Sequence, residues 1–168
     1  IDWLLTVPLM CVEFYLILKK AGAQKSMMWN LIFLSTIMLV TGYVGEAYGA
    51  EDGGEGVNAA LWGGISGAAY FVIVYMLWFG SAGQLAQKAG GAVLDAFNAL
   101  KWFVLVGWAI YPLGYMLGTE GWYDFVDAWF GEAAEAEKTM NIVYNIGDAV
   151  NKIGFGLVIY NLAVSDNK

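Results

Sequence analysis

The chain has 168 residues, 60% of them hydrophobic and 16% aromatic, well above what a soluble globular domain carries. Its net charge of −7, with no Arg and no His, argues against a nucleic-acid partner. The one cysteine, Cys11, excludes a disulfide within the chain. The core it buries therefore faces lipid, and residues 1–168 are read as a single transmembrane domain.

In chain order, the first apolar segment runs from Ile1 to Leu18, contains Asp2, Thr6, Pro8 and Glu13, and ends at Lys19-Lys20. The second runs from Met27 to Tyr48, with Glu46 near its end. The third, Val57 to Phe79, is rich in glycine and aromatics. The fourth, Ala92 to Leu117, carries Lys101 in its first half and Pro112 in its second. The fifth, Met140 to Val164, holds Asp148 and Lys152. Strand-like alternation is absent, so the predicted fold class is an all-α transmembrane helical bundle and not a barrel. The chain opens on Ile-Asp-Trp without a methionine and reads as an internal piece of a longer protein.

The connections predict orientation. Lys19, Lys20, Lys25 and Lys88 fall in the first and third links, whereas Glu51, Asp52 and Glu55 lie in the second. Glu120, Asp124, Asp127, Glu132, Glu135 and Glu137 fill the fourth, with Lys138. Lysine-bearing loops stay in the cytoplasm, which puts the acidic links outside. Asp2 then lies roughly 25 Å, and Lys152 roughly 20 Å, from the cytoplasmic edge at 1.5 Å per residue. Glu13 lies three turns after Asp2 on the same face, roughly 9 Å below that edge.

Lys152 is the focus. An ammonium group at that depth costs at least about 2.5 kcal/mol and marks a functional site by default. Asp148 lies one turn earlier on the same face. Asn141, Asn145, Asp148 and Lys152 project within one arc, with Ile153, Leu157 and Val158 to the side or behind. A buried ion pair that only helps helices associate is the plainer alternative. With Asp2 and Glu13 on inward faces, the ionisable series reads as a proton relay.

These residues carry a resemblance. Asp2-Trp3-Leu4-Leu5-Thr6-Val7-Pro8-Leu9 followed by Glu13-Phe14-Tyr15-Leu16 resembles helix three of the proteorhodopsins. Gly42-Tyr43-Val44-Gly45-Glu46-Ala47 is similar to the end of their helix four, and Gly107 to Tyr115, with Trp108, Tyr111 and Pro112, to helix six. Asp148-Ala149-Val150-Asn151-Lys152-Ile153 is similar to helix seven, where the family's lysine binds all-trans retinal as a Schiff base. The resemblance extends to xanthorhodopsin-like members and covers essentially the whole chain. It implies five helices here of an expected seven, with the first two and the start of the third absent.

The resemblance assigns covalent retinal to Lys152, the proton-acceptor role to Asp2, the proton-donor role to Glu13 and a persistent counter-ion role to Asp148. Thr6 can hydrogen-bond the Asp2 carboxylate. Trp3, Trp108, Tyr111 and Tyr115 would flank the polyene, with Met10, Met38, Gly42, Ser66 and Pro112 filling its sides. Pro112 also removes a backbone hydrogen bond and predicts a kink or hinge. Met10 stands where leucine and glutamine separate green- from blue-absorbing members, and its apolar thioether predicts a green absorber.

The implied function is a light-driven outward proton pump, a photoreceptor-type ion transporter and not an enzyme, in a bacterial inner (cell) membrane. Lipid and protons are its partners, a homo-oligomer is expected, and no metal is implied. The alternatives are a retinal photosensor signalling through a transducer and a membrane scaffold without chromophore. Gly63 falls where xanthorhodopsin-like members have a glycine window for a hydroxylated carotenoid antenna. The competing use of Gly63 is a GxxxG pair with Gly67 for helix packing.

Overall fold

The computed structural model describes residues 2–50, 56–117 and 133–165. Helix α1 (Asp2–Leu18) stays helical through Pro8. A 3-10 turn, Lys19–Ala21, then reverses the chain into α2 (Lys25–Tyr48). The reversal needs Gly22, whose φ of 100° is left-handed and whose N–H bonds the Lys19 carbonyl at 3.1 Å. A two-residue parallel ladder, β1 (Gly49–Ala50) with β2 (Val57–Asn58), flanks the second link. Glu51, Asp52 and Glu55 of that link lie outside the described residues, as do Glu120, Asp124, Asp127 and Glu132 of the fourth.

Asn58 then caps α3 (Ala59–Trp78), its side-chain oxygen accepting the Leu61 N–H at 2.8 Å. Among the described residues, three stretches, Lys25–Tyr48, Ala59–Ala89 and Gly91–Pro112, are long and apolar enough to cross a bilayer. The third link is not a loop. Ser81–Ala89 forms a helix, α4, that buries Ala82, Gly83 and Ala86. Gly90 and Gly91, both at positive φ, turn the chain into α5 (Gly91–Trp102).

The fourth segment is helical but interrupted. After α5 comes a π segment, Phe103–Gly107, and after a turn α6 (Ile110–Leu117). The last helix, α7 (Ala133–Ser165), starts seven residues before the apolar run at Met140. Ala133-Ala134-Glu135-Ala136-Glu137-Lys138 are strong helix formers, so Glu135, Glu137 and Lys138 belong to the helix rather than to the link.

Helices α1, α2, α3, the interrupted α5–α6 and α7 make an all-α bundle. α2 packs along both α1 and α3, while α7 packs along α5 and α6. The best-buried large side chains, among them Phe14, Leu18, Leu31, Ile73, Leu77, Phe97, Leu100 and Phe155, gather in the half nearest Lys19. Lys101 is accommodated in its apolar run with its ammonium 4.2 Å above the Trp78 ring. Glu46 is exposed on α2, as a helix-end carboxylate should be.

Candidate functional site

Helical spacing alone brings Asp148 and Lys152 together. Lys152 Nζ lies 3.0 Å from Asp148 Oδ2, with both side chains part-buried. The rest of the Asp148 shell comes from other helices. The Trp3 indole N–H from α1 reaches both carboxylate oxygens, at 3.0 and 2.8 Å. The Tyr111 hydroxyl from α6 donates to Oδ1. One carboxylate therefore receives an ammonium, an indole and a phenol, which is what keeps a charge tolerable in an apolar span.

Aromatic packing fixes these donors. The Trp3 and Tyr111 ring centroids are 4.5 Å apart. Tyr144 of α7 stands edge-on to Trp3 at 5.9 Å and tilted against Tyr111 at 5.6 Å, and its hydroxyl donates to the Tyr111 carbonyl at 3.1 Å. Trp108 is buried in the core below.

The inward face of α7 is rotated from the arc drawn on the sequence. Asn151 and Phe155 are buried and Tyr144 is part-buried beside Asp148, whereas Asn145 is exposed. Ile153 and Leu157 are exposed at the back as expected. Neither the Asn141 nor the Asp2 side chain is among those described, but Trp3 ties the first turn of α1, which Asp2 opens, to Asp148. Thr6 and Glu13 are half-buried on the same helix, and Met10 is buried between them.

A second group of expected pocket residues meets between α2 and α3. The Ser66 hydroxyl donates to the Met38 carbonyl at 2.7 Å, and a Cβ on Gly42 would sit 3.1 Å from Ser66 Oγ. A third group surrounds Tyr115, whose hydroxyl donates to the Ala59 carbonyl. A Cβ on Gly63 would strike the Tyr115 ring, and one on Gly45 would strike its hydroxyl. Gly63 is thus a seat for an aromatic ring. A Cβ on Gly67, by contrast, would meet nothing within 4 Å among the described residues.

An open apolar groove of about 520 Å³ runs between the interrupted helix and α7, lined by Trp102, Phe103, Val106, Ile146 and Val150 among others. None of the expected cage residues lines it.

Residues 1–166 match the family described as bacteriorhodopsin-like protein. The chain belongs to that family. It is 40% identical over 169 residues to the green-light absorbing proteorhodopsin of Gamma-proteobacterium EBAC31A08, covering 99% of this chain and 61% of that protein. Among solved structures, Exiguobacterium sibiricum rhodopsin superposes with a TM-score of 0.76 at 30% identity, covering 96% of this chain and 67% of that one. Xanthorhodopsin, described as a light-driven ion pump with dual chromophore, superposes at 0.74 and 29% identity, covering 98% and 61%. The chain thus spans about three fifths of the length of the proteorhodopsin it matches. Membership in this family and the apolar spans make it part of an integral membrane protein, in a fold its relatives share.

Two members of the site carried a weak signal in the sequence. Tyr144 lies four residues before Asp148, hence on the same helical face, and Gly45 lies three after Gly42. Neither stands out as a residue type in an apolar helix.

Proposed function

We propose that the whole protein is a light-driven outward proton pump that binds all-trans retinal through Lys152. The observation that carries this reading is the part-buried Lys152–Asp148 pair, completed by Trp3 and Tyr111, inside a rhodopsin-family bundle. Retinal joined to Lys152 would supply light absorption and a nitrogen able to carry and release a proton. The donor set suits that group, since Asp148 already holds a positive charge at Lys152 and aromatic rings stand beside it.

The chain's own residues then divide the work. Asp148, held by three donors, balances the positive charge at Lys152. Asp2 accepts the released proton, one turn before Thr6. Glu13, half-buried three turns nearer the Lys19 end, returns a proton from inside. Trp3, Trp108, Tyr111, Tyr115, Met10, Met38, Gly42, Ser66 and Pro112 shape the pocket. A bacterial inner membrane and a homo-oligomer complete the proposal. A hydroxylated carotenoid at Gly63 belongs to it as well, supported by the dual-chromophore relative. Because the Tyr115 ring fills that notch, an antenna there requires the ring to swing aside.

The test is to add all-trans retinal to cells holding the full-length protein and record pH under illumination. A visible pigment and a light-driven acidification abolished by a protonophore are expected. Pigment without acidification would favour the sensor reading, and no pigment would leave the scaffold reading. Glu13→Gln should slow photocycle recovery, and normal recovery would remove Glu13 from the relay.

A further inference from the structure

The helix that carries Trp108 and Tyr111 is broken just before them. The Trp108 N–H bonds the Phe103 carbonyl, five residues back, at 3.2 Å. Four residues after Trp108, Pro112 has no N–H to offer the Trp108 carbonyl, and the Tyr111 N–H takes it at 3.2 Å. Since the Tyr111 N–H is used there, the Gly107 carbonyl lacks its regular helical donor. The Asn151 side-chain amide donates to it instead, at 3.0 Å. The Leu105 carbonyl accepts from the Tyr70 hydroxyl at 2.6 Å.

Both donors are buried, Tyr70 at 4% and Asn151 at 5% exposure, and they come from two different helices, α3 and α7. Gly107 leaves room for the contact, since a Cβ there would run into the Asn151 amide. A π segment is a register shift that its helix can lose or move. Its position is set by whichever groups satisfy the freed carbonyls, because leaving them bare in an apolar interior is costly. Asn151 is also the backbone neighbour of Lys152, so any rotation of α7 at Lys152 moves the amide that holds Gly107.

We propose that Asn151 and Tyr70 are positioning residues that clasp the π segment and transmit a change at Lys152 to α5. The proposal rests on the retinal reading above. Its test uses the full-length protein reconstituted with all-trans retinal. In Asn151→Leu and in Tyr70→Phe, photocycle recovery should change about tenfold, as expected for a buried hydrogen bond removed on one side of a barrier. The double variant should change by less than the product of the two. Spin labels at Lys19→Cys and Asp95→Cys, on exposed positions of the turn and α5, should report a light-driven distance change that is lost in Asn151→Leu.

A merely structural role would lower the thermal stability of the dark pigment and leave these readouts unmoved. Recovery within about twofold of wild type in both variants, with the distance change intact, overturns the inference alone. Should Asn151→Leu form no pigment, Tyr70→Phe, which loses one oxygen atom, decides by its kinetics. Absence of pigment in the wild type overturns the retinal reading and this inference together.

Discussion

The two ends of the bundle hold together by different physics. At the Asp2 end, Asp148 is wired to Lys152, Trp3 and Tyr111, and Tyr144 braces the rings around it. At the Lys19 end the core is dry. Phe14 stands edge-on to both Phe97 and Phe155 at 5.6 Å, among fully buried Leu18, Leu77 and Leu100. Directional bonds position charge at one end, and close packing excludes water at the other. The pump proposed above would need both, because a proton path open along its whole length would leak.

The largest expected effect tests whether the wired end is a binding site at all. Lys152→Ala should abolish the pigment completely, and colour that survives it without added amine would break the assignment. Next, Asp2→Asn should stop light-driven acidification and move absorption to longer wavelength, since on the proposed reading it removes a counter-ion charge to the retinal-bearing nitrogen. Acidification that persists would take Asp2 out of the wired end.

Packing effects come third. Phe155→Ala should cost about 3 kcal/mol, near the low end for a buried Phe because lipid supplies no hydrophobic drive. Thermal bleaching of the pigment measures it, and a loss well under 1 kcal/mol would mean that the dry end is looser than its contacts imply. The smallest effect sharpens the wired end. Tyr111→Phe removes one of three donors to Asp148 and should cost about 1 kcal/mol, read as a modest spectral shift and earlier bleaching.

The sequence carried much of this comparison, and unevenly. Asp148 and Lys152 were legible because an i,i+4 pair depends only on local helix geometry. Trp3 and Tyr111 were legible through the family motifs and not through periodicity. The inward rotation of α7 toward Tyr144 and Asn151, away from Asn145, was not, because several polar residues share the arc and tertiary packing chooses among them. Pro112 announced a kink but not its place. The register shift lies upstream at Phe103–Gly107, where an apolar run keeps the same pattern in either register. The lysine-bearing link read as a loop because its flanking glycines mark chain reversals. Between them, Ser81–Ala89 is helical.

That short helix has a practical consequence. A link bearing a lysine and bounded by glycines would be an obvious place to splice in a fluorescent reporter. Here the link seals the end of the bundle. Ala82 and Ala86 are essentially inaccessible, a Cβ on Gly83 would come within 2.9 Å of the Leu77 carbonyl, and α4 touches α1, α3 and α5. Tolerance to insertion follows the burial of the interrupted backbone, so a reporter placed between Ala82 and Ala86 should prevent assembly of the bundle.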